Sequence, residues 1–143
     1  YRPLNNLFLN PFMENIRKKY ICKKQIRKGI SGTKEILKLF KSGSSIALMI
    51  DQRVSEGKKC NFFNEKAFTT TIPAQFVKKF KSKIVPIYIE RIENENFKII
   101  INNPLEFNDE DSIDYITLTL NQQLEKMIIK NPSQWIWTHD RWK

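Results

Sequence analysis

The chain has 143 residues, of which 41% are hydrophobic and 12% aromatic, which is enough for one domain with a packed core and excludes wholesale disorder. The 25 Lys and Arg residues outnumber the 15 Asp and Glu residues, and the net charge of +10 favours anionic partners such as nucleic acid, an acidic protein or a phosphorylated lipid. No apolar run approaches the roughly 20 residues of a membrane-spanning helix. Cys22 and Cys60 lack metal-ligand spacing, which predicts free thiols in a reducing compartment. We expect a single domain over residues 1–143.

Two helices are predicted near the start of the chain. Residues 9–21 form the first, with Asn10 as its N-cap and Pro11 at its first helical position. Residues 31–43 form the second, because its apolar residues share one face and Gly43 fits the end of a helix. The preceding glycines, in GISGTK, lack the spacing of a phosphate-binding loop and predict only the turn that enters this helix.

The next segment changes from helical periodicity to a short apolar run. SIALMI, residues 45–50, is continuous and too short for a helix, which predicts a strand buried on both faces of a parallel sheet. Residues 51–71 predict a long loop with one short strand at most, and long loops in compact domains are often functional.

The second half of the chain predicts a helix, a strand pair and a longer helix. The shorter helix covers residues 72–81, the strands cover 83–92 and 96–102 around the turn ENEN, and the longer helix covers 111–130. Helices alternate with strands in the first half, so the predicted class is mixed α/β, with a largely parallel sheet flanked by helices. The acidic run DEDSID (109–114) is best explained by the start of the long helix, although its carboxylates also suit a metal; we expect no metal and no cofactor.

Two positions outside the C-terminus suit ligand binding. Asp51 and Gln52 follow the predicted buried strand, and open α/β sheets bind ligands at the carboxyl ends of their strands. Asp51 is equally compatible with an ordinary carboxylate that caps a turn. Arg2 precedes Pro3, which holds it extended, and its guanidinium is then available to a phosphate or a carboxylate.

The C-terminal segment, PSQWIWTHDRWK (132–143), holds all three tryptophans and the only histidine. We expect the tryptophans to fold back on the core or to lie at a membrane interface. His139 has no second histidine and no nucleophile near it in sequence. It is therefore interpreted as a packed, hydrogen-bonded imidazole and not as a catalytic base.

Four segments in order resemble the bacterial lipid A biosynthesis acyltransferases, the lauroyl and myristoyl transferases of the lysophospholipid acyltransferase superfamily. The segments are YRPLNN, GSSIALMIDQRVSEGKK, FFNEKAFTTTIPAQFVKKFKSKIVPIYIER and PSQWIWTHDRWK, and together they cover essentially the whole chain. The resemblance implies a glycerolipid-acyltransferase-like fold. The family's catalytic His-x4-Asp/Glu motif precedes its Tyr-Arg-Pro segment, and His139 lies at the wrong end for it. The chain is therefore expected to be the C-terminal part of the enzyme, with its N-terminal part and catalytic base missing.

The resemblance also implies roles. A His-acid dyad upstream of Tyr1 deprotonates a hydroxyl of a phosphorylated glycolipid, which attacks the thioester of an acyl-acyl carrier protein at the cytoplasmic face of the bacterial inner membrane. The substrate-binding residues implied for this chain are Arg2, Asn6, Asp51, Gln52 and Thr70.

Two other classes remain as alternatives. A basic nucleic-acid-binding module would explain the charge, but the aromatic residues cluster at the C-terminus and do not alternate with Lys on strands, so we expect no nucleic acid. A non-catalytic peripheral membrane protein would use the tryptophan cluster as its anchor.

Overall fold

The computed structural model describes residues 1–55 and 57–143, and it divides into two compact units, Tyr1–Ala47 and Leu48–Lys143. The first unit contains helices α1 (Leu9–Tyr20) and α2 (Ile30–Lys41). The second contains strands β1 (Lys58–Phe62) and β2 (Glu65–Thr69), helix α3 (Ile72–Phe80), strands β3 (Ile87–Arg91) and β4 (Phe97–Ile101), helix α4 (Ile113–Lys130) and a 3₁₀ turn at Pro132–Gln134. Mixed α/β is therefore the correct class.

Helix α1 confirms the predicted helix but not its predicted start. Its first free amides are capped by Asn6, whose Oδ1 accepts from the N–H groups of Phe8 at 2.9 Å and Leu9 at 3.1 Å. The Asn10 side chain instead accepts from the N–H of Leu4 at 2.8 Å and lies inside the first turn. The prediction of Asn10 as the N-cap was wrong, because an asparagine four residues earlier captures the orphan donors first.

Helix α2 begins and ends at glycines, as the sequence predicted. Gly29 has φ of 127° and its carbonyl accepts the first helical bond, from the N–H of Thr33 at 3.0 Å, so GISGTK is a helix-entry turn. Gly32 is buried, and a Cβ there would lie 1.8 Å from the carbonyl oxygen of Arg27, which requires glycine. At the other end Gly43 (φ 85°) donates to Phe40 O and Ser44 donates to Leu39 O, the paired bonds of a Schellman motif.

The prediction of a largely parallel sheet was wrong. The described residues form two separate antiparallel sheets of two strands each, and residues 45–50 belong to neither, with the Met49 side chain 80% exposed. A strand buried on both faces needs a hydrogen-bonded neighbour along its edges, and the described strands pair only within their own hairpins. An apolar run alone does not specify that neighbour.

The predicted long loop contains the hairpin β1–β2, with Phe62 opposite Glu65 and a two-residue turn at Phe63 and Asn64. Both turn residues have positive φ, 51° and 64°, which is the geometry of a type I′ turn. A phenylalanine is strained in this region, and its backbone N–H is held by Glu125 Oε1 at 2.8 Å. This hairpin is therefore held by contacts with α4 and not by turn residues that favour the conformation.

The two helices and the strand pair predicted for the second half of the chain are confirmed, although the strands are shorter than predicted. Helix α3 and helix α4 lie where periodicity placed them, and the Ser112 side chain caps α4 by accepting from Tyr115 N–H at 3.1 Å. Strands β3 and β4 pair around the predicted turn, with Ile87 opposite Ile101 and Ile89 opposite Ile99.

Two apolar clusters hold the second unit together. In one, α3 and α4 contribute the buried residues Ala74, Val77, Ile116 and Leu120. In the other, the hairpin β1–β2 packs on the end of α4 through Phe62, Ala67 and Ile128. Helix α4 runs through both clusters, so its length fixes their spacing.

A polar network organises the first unit around Glu14. Its Oε1 accepts hydrogen bonds of 2.8 Å from the Tyr1 hydroxyl, the Asn10 amide and Arg27 Nη2. The Tyr1 bond, then the Asn10 bond and the Arg27 cation, lower the pKa of Glu14 from 4.5 to about 2.

We predict that Glu14→Gln destabilises the full-length protein at pH 7 and that the difference disappears in acid. Because the folded pKa is the lower one, the stabilisation by Glu14 is complete above pH 4.5 and is lost as the pH falls through 2. Melting temperatures by circular dichroism at pH 7 and at stepwise lower pH measure this. Glu35→Gln, an exposed acid on α2, is the matched control. A difference that stays constant down to pH 2 would contradict the network's role.

Candidate functional site

The side chain of Arg141 is fully buried in the second unit, which is unusual for a cation. Its Nη2 donates to Asn121 Oδ1 at 2.8 Å and to Thr69 Oγ1 at 3.1 Å, and its Cζ lies 4.0 Å from the centre of the Phe62 ring. The guanidinium therefore joins the C-terminal segment to strands β1 and β2 and to helix α4. A buried charge needs such partners, since an unpaired one costs several kcal/mol, on the order of its desolvation.

Asn121 and Thr69 are themselves bonded to one another. Asn121 Nδ2 donates to Thr69 Oγ1 at 3.1 Å and to the carbonyl of Asn61 at 2.8 Å, while the Thr69 hydroxyl donates to Ala67 O at 3.2 Å. Both side chains are buried, at 0% and 2% exposure. Every polar atom of the amide and the hydroxyl is engaged, so the network is rigid where it contacts Arg141 Nη2.

Aromatic rings pack around Phe62, the ring over which the guanidinium lies. Trp142 stacks on Phe62 with ring centres 5.5 Å apart and donates from Nε1 to Phe62 O at 3.1 Å. Trp135 packs edge-on against the same phenylalanine at 5.8 Å. The expectation that the tryptophans fold back on the core is confirmed for these two, whereas the Trp137 side chain is 47% exposed.

Some buried polar atoms in this unit lack a hydrogen-bond partner among the described residues. Among residues 1–55 and 57–143, Arg141 Nε and Nη1 are buried without a hydrogen-bond partner, and so is Asp51 Oδ1. Burial lowers the pKa of Arg141 to about 10, and Asp51 is the foremost of the acidic groups that oppose this fall, ahead of Cys60 and Glu125. Because the unfolded chain keeps the higher pKa, burial of the cation opposes folding below pH 10, and this cost falls as the pH rises above 10.

Three of the predicted substrate-binding residues lie in this unit. Asp51 is half-buried, whereas Gln52 is exposed. Thr70 is the neighbour of the network's Thr69, and its hydroxyl accepts from Ile72 N–H at 3.3 Å at the start of α3. The structure thus brings Asp51 and Thr70 to the two ends of the segment that carries β1 and β2. Their contact with a substrate stays a prediction.

The other two lie in the first unit. The Arg2 side chain is exposed, with its guanidinium available to a ligand. Asn6 is exposed as well, and its Oδ1 caps α1, which gives this side chain a structural role in addition to the predicted one.

The interpretation of His139 as a packed imidazole was wrong. His139 is exposed, and its side chain makes no hydrogen bond or ion pair with the described residues. The buried polar residue of the C-terminal segment is Arg141, two positions later. Within the tail, Trp135, Arg141 and Trp142 contact the core, whereas the histidine stays exposed.

Sequence reasoning missed Thr69, Asn121 and Arg141 as members of the site. One signal was available: Thr117 and Asn121 lie on α4 between apolar positions, so two polar side chains share its buried face. A buried polar pair on an apolar face indicates a polar partner on a neighbouring element.

The acidic run at 109–114 has local partners. Asp109 pairs with Lys81, Asp111 Oδ2 accepts from Asn108 N–H at 2.7 Å, and Asp114 pairs with Lys58 at 2.6 Å. Over residues 1–55 and 57–143, His, Cys, Asp and Glu side chains form no group of three that could hold a metal ion. In the same residues no helix combines the length and apolar character that crossing a bilayer requires.

Comparison with known proteins identifies the class as a bacterial acyltransferase. The family that matches is described as Bacterial lipid A biosynthesis acyltransferase, the match covers residues 1–143, and the chain belongs to this family. A comparison with curated proteins gave no match. The family connects the chain with the lipid biosynthesis of bacterial membranes, with an acyl donor and a lipid acceptor as its substrates.

We predict that Asn121→Ala destabilises the full-length protein by about 2–4 kcal/mol. The substitution removes a bond to a charged donor, at about 1.5–3 kcal/mol, and leaves the carbonyl of Asn61 and Arg141 Nη2 with fewer partners. Gln122→Ala, an exposed amide at the next position of α4, should stay within about 0.5 kcal/mol of wild type. Urea unfolding followed by circular dichroism compares the two. Equal midpoints for both variants would show that the buried network contributes nothing.

Proposed function

We propose that the full-length protein transfers a fatty acyl chain from acyl carrier protein to a hydroxyl of a phosphorylated lipid A precursor. The observation that carries the proposal is the family match over residues 1–143. The net charge of +10 supports it, because both the carrier protein and the phosphorylated acceptor are anionic. Charge attraction of this kind raises the rate of encounter with either substrate.

The general base of the reaction is, in this proposal, a histidine of a His-x4-Asp/Glu motif outside residues 1–143. Its task is to remove the proton from the acceptor hydroxyl as the oxygen attacks the thioester carbon. His139 is a poor candidate for this task, because its side chain is exposed and no carboxylate among the described residues orients it. The reaction needs no metal and no cofactor.

The five predicted residues take binding roles. Arg2 presents a planar fork of donors that suits a phosphate, and Asn6 lies four residues further along the same segment. Asp51, Gln52 and Thr70 supply a carboxylate, an amide and a hydroxyl to the polar part of the acceptor.

The cytoplasmic face of the bacterial inner membrane is the proposed location. Helix α1 and the residues before it expose a continuous apolar surface, with Leu7, Phe8 and Phe12 at 83%, 93% and 63% exposure. Basic residues follow in the last turn of the helix, at Arg17, Lys18 and Lys19. Apolar side chains beside cations suit the surface of an anionic bilayer.

The first test compares two acyl donors, and it compares the full-length protein with the 143-residue polypeptide. We expect the full-length protein to transfer a labelled acyl chain from acyl carrier protein to a phosphorylated lipid A precursor, and the 143-residue chain alone to transfer none. Thin-layer separation of the labelled lipid measures both. Acyl-coenzyme A in place of the carrier protein tests the donor, and equal rates would contradict the carrier preference. Transfer by the 143-residue chain would place the base inside it.

The second test concerns Arg2. In the full-length protein, Arg2→Lys should lower kcat/KM by about tenfold or more while the melting temperature is unchanged, because an ammonium keeps the charge but loses the paired planar contacts. Arg91→Lys, the same change at an exposed arginine of β3, is the matched control and should retain wild-type turnover. If Arg2→Lys behaves like this control, Arg2 does not clamp an anion.

A further inference from the structure

The hydroxyl of Thr69 is the point at which the buried network meets strand β2. Its Oγ1 accepts hydrogen bonds of 3.1 Å from both Arg141 Nη2 and Asn121 Nδ2, and it donates to the carbonyl of Ala67 at 3.2 Å. A threonine hydroxyl has one proton to donate and two lone pairs to accept with, so its hydrogen-bonding capacity is filled. The side chain of Thr69 is therefore held in one orientation by donors from α4 and from the C-terminal segment.

The backbone of Thr69 is held as well. Thr69 is the last residue of β2 and pairs with Lys58, the first residue of β1. On the same side Gly57 packs against its carbonyl, so closely that a Cβ on this glycine would lie 2.6 Å from the carbonyl oxygen. The end of β2 is thus fixed by its side chain from the core and by its main chain from the neighbouring strand.

Thr70 follows directly and has a more accessible side chain. Burial alternates along the end of β2, with Ala67 and Thr69 buried and Phe68 half-buried, and the half-buried Thr70 continues this alternation. Its Oγ1 accepts from the N–H of Ile72 at 3.3 Å, and within the described residues its own proton makes no hydrogen bond. Because the peptide group between Thr69 and Thr70 is planar, fixing Thr69 limits the directions in which the Thr70 hydroxyl can point.

We propose that Arg141 and Asn121 are positioning residues for Thr70: by holding the hydroxyl of Thr69, they fix the strand end from which Thr70 donates a hydrogen bond to the acceptor. This inference rests on the proposed function for what Thr70 contacts, but the ordering of Thr70 by the network does not depend on it. Arg141 and Asn121 are buried and touch no substrate. Their effect on the reaction passes through Thr69 to its neighbour.

The first measurement is hydrogen–deuterium exchange in the full-length protein, read at the amide of Ile72. Thr69→Val removes the hydroxyl and keeps the shape of the side chain, and it should speed this exchange by about tenfold while the amides of β3 and β4 keep their wild-type rates. Thr117→Val is the matched control, since Thr117 is equally buried and its hydroxyl bonds only within α4. Exchange at Ile72 equal to that of the control, or an equal acceleration throughout β3 and β4, would overturn the proposal.

The second measurement is a double-substitution cycle on activity, at a temperature where all variants are folded. Thr69→Val should lower kcat/KM by about tenfold in the wild-type background and by much less in the Thr70→Val background, because the hydroxyl to be positioned is then absent. Thr69→Ser, which keeps Oγ, should recover most of the loss. A purely structural role for the network would lower activity equally in both backgrounds, and equal losses would refute positioning. So would wild-type activity in Thr70→Val alone.

The two measurements separate failure of the inference from failure of the proposed function. If the full-length protein transfers no acyl chain, the proposed function fails, and the exchange rate at Ile72 still decides whether the network orders Thr70. If Thr69→Val does not fold, Arg141→Lys replaces it in both measurements with the same expected results, because an ammonium keeps the charge but not the fixed geometry of the guanidinium. If transfer is normal and Ile72 exchanges as in the control, the inference fails and the proposed function stands.

Discussion

A guanidinium that is wholly removed from water is the constraint around which the second unit is arranged. Arg141 reaches its place only if β1 supplies the ring of Phe62, β2 the hydroxyl of Thr69 and α4 the amide of Asn121. Each of these groups offsets part of the free-energy cost of burying a charge. The pKa of Arg141 is still lowered, which indicates that the cost is not fully offset. The polar positions on α4, the short hairpin and the inward turn of the chain end follow from that one requirement.

The parts of the fold that were predictable carry their signals within a few residues. Gly43 ends α2, Ser112 begins α4, and helical periodicity marks α3 and α4, because caps and amphipathic faces are local properties. The parts that were not predictable depend on distant partners. Residues 45–50 have the composition of a buried strand, but a strand exists only where another strand bonds to it. The hairpin β1–β2 could not be predicted because its turn residues, Phe63 and Asn64, are not typical of a type I′ turn. The Glu125 carboxylate on α4 stabilises this turn instead.

The candidate site was predictable only in part. Sequence reasoning chose Thr70 as a substrate-binding residue, which stays a prediction, while the buried network uses its neighbour Thr69 together with Asn121, which was not selected. It selected His139 as the packed residue of the C-terminal motif, while Arg141 occupies that place. In both cases the pattern located the segment, and the fold decided which side chain turns inward. Asp51 was chosen because it follows an apolar run, and the structure leaves its side chain half-buried although the strand expected to carry it is not formed.

The tryptophans give the chain an optical property that follows from where they lie. All three fall between Trp135 and Trp142, two of them against Phe62 and the third half-exposed with its indole N–H bonded to Pro132 O at 2.8 Å. In the described residues the indole emission therefore arises from a single corner of the second unit. Its wavelength and intensity report the local polarity at the buried guanidinium. Fluorescence of residues 1–143 is thus a site-specific signal without any added dye.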